Sequence, residues 1–521
     1  MVGLNGMARA IERLRKLTRR DWYLLGGLTL AALILRFVNL PHPEHIIFDE
    51  TYFAVFAQNY LTGTEFFDAE PPLGKFLIAG GEWLFGNNSF GWRSVPAVFG
   101  TAVIPLMYLL AKRLFGGTAV PFFAGALALL DGFLLVESRT ALLDGFVVTF
   151  NLATYLLFIQ SLQAGSRRAA FRWLAATGVV FGMALAVKWV TLAFIAPAAV
   201  LLIVLALRDR RWIRRIFKVR SGKALLDAIG ARRENLLPIG YYLAWLGLGP
   251  ALIYAGLFAI HVPFDSTHQG ILGIHQQIYD YHHNLEATHP YGSAWYTWPV
   301  MVRPVTYYFH SAYGQWQGIV ALGNPVVWWG GVAAVGFAAW QLVRPGRAGR
   351  RKRERNLVLG FLLLAILAHY APWALIHRVL FIYHYAGVLP FVILLLAYAL
   401  GRSWEWRPQD PWPQAIGWFL LFGAAGIMGM LLGQSAAGLL PWPGAAAMPN
   451  VAAAPVGAVL AAAPVFWLAA TRRFGWRWGK KQTVAFLWLA LLAFVYFYPV
   501  WTGVALDIQD YGRRMWFKSW I

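Results

Sequence analysis

Five carboxylates, Asp49, Glu50, Glu65, Asp68 and Glu70, fall within about two dozen residues of a 521-residue chain that is 59% hydrophobic and only 13% charged. They follow directly on its first strongly apolar run, and ionisable groups beside a bilayer are costly enough to be kept there for a task. A carboxylate at such a boundary can take the proton of an attacking hydroxyl. The cations Lys75, Arg93, Arg139 and Arg378, with His384, can stabilise a phosphate that departs. Gathered on one side of a membrane, these groups suit transfer from a lipid-linked phosphate donor whose tail lies among apolar helices. Each also has a structural role open to it. Asp49 and Glu50 could cap a helix opening near Thr51, and Asp68 and Glu70 could start one at Pro71. Lys75 could snorkel to the interface, Arg93 and Arg139 could anchor span ends, and Asp144 could simply pair with Arg139. Seven histidines between His261 and His310 lack the spacing of a zinc site, and the chain has no cysteine. No metal ligand set is read, and the need for a divalent cation stays open.

The elements that must position these groups are membrane helices. Apolar runs of about 18 to 22 residues recur along the chain, each long enough to cross the hydrocarbon core, which predicts an all-α polytopic membrane protein. The net charge of +22 lies mostly in short loops between these runs, the pattern that orients membrane proteins and not that of a nucleic-acid binder. Arg9, Arg13, Arg15, Lys16, Arg19 and Arg20 make residues 1–21 a cytoplasmic amphipathic segment. The run from Tyr23 to Val38 lacks a cleavage site and reads as a first span. The acidic stretch then lands outside, in a first outer loop (41–90) with interfacial helices at Thr51–Leu61 and Leu73–Phe85. Alternation of sides gives up to thirteen spans, eleven at the fewest: 22–40, 91–111, 118–136, 141–162, 171–187, 189–207, 238–260, 325–343, 357–374, 382–400, 415–434, 451–470 and 483–500. These divide into an N-terminal module (22–260), a large outer section (261–324), a C-terminal module (325–500) and an outer tail (501–521). Segments 171–207 and 294–320 could each be re-entrant. The absence of an internal repeat or inverted duplication argues against a transporter of lipid-linked sugars.

Several motifs follow one another in a familiar order: Asp49-Glu50 after the first span, Phe67-Asp68-Ala69-Glu70-Pro71-Pro72-Leu73-Gly74-Lys75, Glu137-Ser138-Arg139 with Leu142-Leu143-Asp144, Trp298-Pro299 with Arg303-Pro304, Gly323-Asn324-Pro325 with Trp328-Trp329, and Arg378 with Phe381 and Tyr383-His384-Tyr385. The series, from about residue 48 to 390, resembles that of the protein O-mannosyltransferases, integral glycosyltransferases of the GT-C fold. The resemblance implies transfer of mannose, with inversion, from a polyprenyl-phosphate donor (dolichyl in eukaryotes) to Ser or Thr of a translocated protein. It implies Asp49 as base with Glu50 supporting. Arg139, Arg378 and His384, with Arg93, Lys75, Asp68 and Glu70, would then meet donor phosphate or substrate. Implied partners are the lipid donor, a secreted or membrane protein acceptor, membrane lipids and the Sec translocon, at the outer face of a bacterial inner membrane. Two departures stand out: Glu70 occupies a place where the family often has His, and the outer section of about 63 residues has no room for the lumenal MIR-type domain of eukaryotic enzymes. A GT-C enzyme glycosylating an envelope lipid of the lipid A type, as the aminoarabinose transferases do, is the alternative.

Overall fold

The computed structural model of the protein describes residues 16–206, 237–343, 350–405 and 478–521. The expected spans 415–434 and 451–470, the arginines Arg9, Arg13 and Arg15, and the basic loop 208–234 lie outside the described residues.

The first apolar run forms helix α1 (Arg19–Phe37), opened by a capping box in which Thr18 and Asp21 satisfy each other's backbone donors. Asp21 is buried, and it also accepts the Tyr108 hydroxyl at 2.6 Å and the Lys112 ammonium at 2.8 Å. A charge removed from water needs such partners, and these tie α1 to the long helix α4 (Ser89–Phe115). Between them lie α2 (Glu50–Thr62) and α3 (Leu73–Phe85), within a residue of the two expected interfacial helices. α2 stops at Gly63, whose φ of 74° is the left-handed conformation a helix C-terminus favours. Trp83, Leu84 and Phe85 at the end of α3 stay exposed, as an interfacial helix requires.

Among the described residues, six helices are long and apolar enough to cross a membrane: α4, α7 (Asp144–Gln163), α10 (Ile239–Phe264), α12 (Pro325–Val343), the Arg355–Leu375 stretch that includes most of α13 (Arg350–Tyr370), and most of α15 (Trp478–Thr502). A seventh comes from α5 (Ala119–Leu129) and α6 (Gly132–Arg139), bent by 59° at their junction. The remaining expected spans are less regular. α1 carries Arg19, Arg20, Asp21 and Arg36, and α8 (Arg167–Leu185) is followed by a 3₁₀ turn at Trp189–Phe194 before α9 (Ile195–Ala206). α14 (Leu389–Trp404) begins only after a 3₁₀ turn at Ile382–Gly387. Irregular backbone at membrane depth is tolerated where protein buries it or where it lines a cavity, and the breaks at Lys188 and at 382–387 border one cleft.

The α5–α6 bend is held by Asp131. Its carboxylate accepts the Leu134 N–H (2.9 Å), the Asn324 N–H (3.1 Å) and the Trp328 indole N–H (2.8 Å). Asn324 in turn donates to the carbonyls of Leu130 and Ala490. The Gly323-Asn324-Pro325 motif with Trp328 therefore clamps the bend to the C-terminal module. Gly132 allows it, since a Cβ there would meet the Trp501 ring at 1.8 Å.

Residues 294–320 hold no long helix. They form a 3₁₀ turn (Trp295–Val300) and an antiparallel hairpin of β1 (Val305–Ala312) and β2 (Gln315–Ala321), so the fold is helical with one small sheet. The turn residues Tyr313 and Gly314 both have positive φ, 51° and 73°, as in a type I′ turn. A third strand, β3 (Leu506–Asp507), pairs with β2. The expected outer tail is thus part of the structure. After β3 comes α16 (Ile508–Arg514), and the buried Trp520 donates its indole N–H to the Met301 carbonyl at 2.6 Å. Asp131→Ala would leave three buried donors unpaired, and a loss of about 3 kcal/mol or more is expected. Thermal unfolding of the detergent-solubilised variant measures this.

Candidate active site

Asp49 occupies the N-cap position of α2, yet its side chain makes no capping bond. Among the described residues its carboxylate has no hydrogen-bond or ion-pair partner, so it does not cap α2 by hydrogen bonding. The preceding Phe48 has φ of 46°, a conformation costly for a bulky residue, and its ring stacks on Tyr307 at 4.2 Å and 11°. That stack fixes where Asp49 leaves the backbone. Tyr307 is itself aimed by a β-bulge: Thr306 pairs with Val320 and Tyr308 with Ile319, so Tyr307 is the extra residue. Its hydroxyl donates to the Glu137 carboxylate.

Asp49 lines a cleft of about 540 Å³ shared with Glu70, Asp144, Lys188, Arg378 and His384. Burial, together with the charges of Asp144 and Glu70, pushes the Asp49 carboxyl up to about 6 against the pull of Lys188. Lys188, at the break after α8, pairs with Asp144 at 3.1 Å and lies 5.9 Å from the centre of the Tyr383 ring. Asp144 therefore does not pair with Arg139. Arg378 is partly exposed and has no hydrogen-bond or ion-pair partner among the described residues. Among them, no three His, Asp or Glu side chains converge as a metal site would require.

The other expected residues divide sharply. Glu50 is fully buried and saturated by Arg93 (2.7 and 2.8 Å), the Ala141 N–H (3.0 Å) and the Ile47 N–H (3.1 Å). Arg93 gives its remaining donors to the carbonyls of Pro41 (3.1 Å), Pro43 (2.8 Å) and His45 (3.0 Å). Arg139 donates to the carbonyls of Leu35, Arg36, Val38 and Asn39 at 2.8–3.0 Å, where the unsatisfied acceptors and negative dipole end of α1 attract a cation. Neither arginine lines the cleft, so in place of the expected contact with donor phosphate they clamp the loop between α1 and α2.

Lys75 is fully buried and neither snorkels nor meets substrate. It bridges the Asp68 carboxylate (2.6 Å) and the carbonyls of Glu70 (2.9 Å) and Pro71 (2.6 Å), while Asp68 accepts the Glu70 N–H (3.0 Å). α3 begins at Leu73 with no side-chain cap, so Asp68 and Glu70 start no helix; the groups that pair here are Asp68 and Lys75. They tie a turn that presents Glu70, whose carboxylate is unpaired among the described residues. His384 has Nδ1 2.9 Å from the Phe381 carbonyl and stacks on Trp298 at 5.8 Å and 12°. With Nδ1 engaged by the Phe381 backbone, its other ring nitrogen is left to hydrogen-bond a ligand. Lys188, Tyr307 and His282 of α11 (Gly270–His283), which meets the Ala69 carbonyl at 2.9 Å, are cleft residues the motifs did not single out, whereas Tyr383 belongs to one of them. Only Lys188 had a signal, a cation on the expected outer side where the positive-inside bias disfavours it.

An unpaired carboxylate sharing a cleft with two cations, among apolar and broken helices, suits a membrane glycosyltransferase, and the comparisons give the GT-C class. The fold is that of the S. cerevisiae protein O-mannosyltransferase complex bound to the sugar donor (TM-score 0.71, 16% identity, covering 98% of this chain and 94% of that one). It is also similar to ArnT from Cupriavidus metallidurans bound to undecaprenyl phosphate (TM-score 0.56, 20% identity, 95% and 79%). The family described as dolichyl-phosphate-mannose-protein mannosyltransferase matches residues 27–262, and the C-terminal four TMM region of protein-O-mannosyltransferase matches residues 268–432. The polyprenol-phosphate-mannose–protein mannosyltransferase of Corynebacterium glutamicum is 30% identical over 457 residues, 76% of this chain and 85% of the relative. Its Mycobacterium tuberculosis counterpart is 28% identical over 446 residues, 73% and 81%. The chain belongs to the protein O-mannosyltransferase family.

Arg93→Ala strands Glu50 without its ion pair, and a loss of about 3–5 kcal/mol is expected. Unfolding in detergent checks it; a raised donor KM with unchanged unfolding would return Arg93 to the donor site.

Proposed function

We propose that the protein transfers mannose from a polyprenyl-phosphate donor to Ser or Thr hydroxyls of proteins. The observation that carries this is the unpaired Asp49 carboxylate in the same cleft as Lys188 and Arg378. The names of the bacterial relatives supply the donor and acceptor classes.

In the reaction, the acceptor oxygen attacks the anomeric carbon from the face opposite the phosphate. A carbon–oxygen bond forms, the anomeric carbon–phosphate oxygen bond breaks with its electron pair going to the phosphate, and the hydroxyl proton passes to Asp49. Inversion follows from the single displacement. Lys188 and Arg378 meet the charge that develops on the leaving phosphate, and His384 offers a hydrogen bond. Glu50, Arg93, Arg139, Asp68 and Lys75 act indirectly by holding the two loops that carry Asp49 and Glu70.

The same reading places the enzyme in a bacterial inner membrane with its N-terminus inside and the cleft outside. The Lys and Arg of the connecting loops support that orientation. Acceptors would arrive as chains emerging from a Sec-type translocon.

Asp49→Asn is expected to abolish transfer of labelled mannose to a Thr peptide without unfolding the protein. Label appearing on lipid and not on peptide would overturn the acceptor assignment. The sign of the accompanying stability change is also fixed. A carboxyl raised in the folded state stabilises the fold while protonated, and that contribution disappears as pH rises through about 6. At pH 7.5 the Asn variant should therefore unfold no earlier than the parent.

The pH dependence of transfer runs the other way, since the base must be ionised. Activity should fall about tenfold per unit below pH 6, with its midpoint near 6. A rate unchanged down to pH 5 would exclude Asp49 as the base.

A further inference from the structure

Strand β1 starts at the cleft, where Tyr307 forms part of the wall, and runs outward to the fully exposed turn residue Tyr313. In the sheet order β1-β2-β3 it is an edge, and Phe309, His310 and Ser311 are exposed. The two-residue turn makes Ala312 and Gln315 a hydrogen-bonded pair, so along β1 the bonds to β2 alternate. His310 and Tyr308 face β2 with their N–H and C=O groups; Phe309 and Ser311 turn theirs to the open edge. Among the described residues, the main chain of 305–312 hydrogen-bonds only to β2.

Open edges template pairing with other chains, and proteins ordinarily blunt them with charge or proline. The stretch from Val305 to Ala312 contains no Lys, Arg, Asp, Glu or Pro. Here the unguarded edge leads into a site whose substrate is itself a polypeptide. We propose that the acceptor docks as an extended strand along the open edge of β1, which carries its hydroxyl residue past Tyr307 to Asp49. This rests on the reading of the protein as a protein mannosyltransferase. Ser311 is four residues beyond Tyr307, about 13 Å in a strand, so the edge engages acceptor residues up to about four positions from the hydroxyl. Main-chain pairing tolerates most side chains. The enzyme would thus select extended, unfolded segments and not a sequence motif.

The test uses the full-length enzyme with polyprenyl-phosphate mannose and two acceptors: a nine-residue Thr peptide and a blocked single threonine. Backbone N-methylation scanned along the peptide should lower kcat/KM about fivefold at alternate positions and leave those between unchanged. A flat or aperiodic scan overturns the proposal. In the enzyme, Ser311→Pro removes an N–H from the open edge without removing a bond to β2. The ratio of kcat/KM for the long acceptor to that for the short one should fall about fivefold. An unchanged ratio in the folded variant likewise overturns it. Wild-type enzyme that mannosylates neither acceptor would refute the functional reading and this proposal with it; transfer with a flat scan refutes the docking edge alone.

Discussion

The ion pair of Glu50 and Arg93 is the contact on which the site depends. It lies entirely out of water, and each charge is saturated, the carboxylate by two guanidinium and two backbone donors and the guanidinium by carbonyls of the 41–45 loop. A buried pair of this kind adds little net stability, but losing one partner is severe. Its effect is geometric. It leaves the loop between α1 and α2 one conformation, and Asp49 is the adjacent residue whose carboxylate that conformation leaves without a partner. Arg139, on the last carbonyls of α1, braces the other end of the loop.

The same division of labour recurs between α2 and α3. Lys75 and Asp68 neutralise each other and hold a turn, and the residue between them in sequence that faces the cleft is Glu70. Lys188, Arg378 and His384 come from irregular backbone at the ends of helices. Helices that cross the bilayer must satisfy their backbone internally. The cleft's polar groups are accordingly found where the helices stop.

Much of this was legible in the sequence. Apolar length revealed spans such as 325–343, 3.6-residue periodicity placed α2 and α3, and the motif series singled out Asp49. The partners of the charges were not legible. Arg93, Arg139 and Lys75 were read as substrate contacts because a cation on the outer side needs an anion or acceptor, and sequence does not distinguish a phosphate from a loop carbonyl. Asp144 was read with Arg139, five residues away, whereas its partner Lys188 is 44 residues on. Tyr307 left no trace, since a bulge is decided by the register of two strands and not by either one. The hairpin itself did carry a local mark in Tyr313-Gly314, obscured by an aromatic-rich stretch that also suits an interface.

The short strand at Leu506–Asp507 has a consequence for biosynthesis. It and the buried Trp520 complete the packing around the hairpin that holds Tyr307, yet they follow the last described span, far downstream of the hairpin they support. During synthesis the loop bearing Asp49 is made early, whereas the wall that positions it waits for the segment that follows the last described span. The cleft would therefore lack its finished wall until that distal segment has been made and has packed against the hairpin.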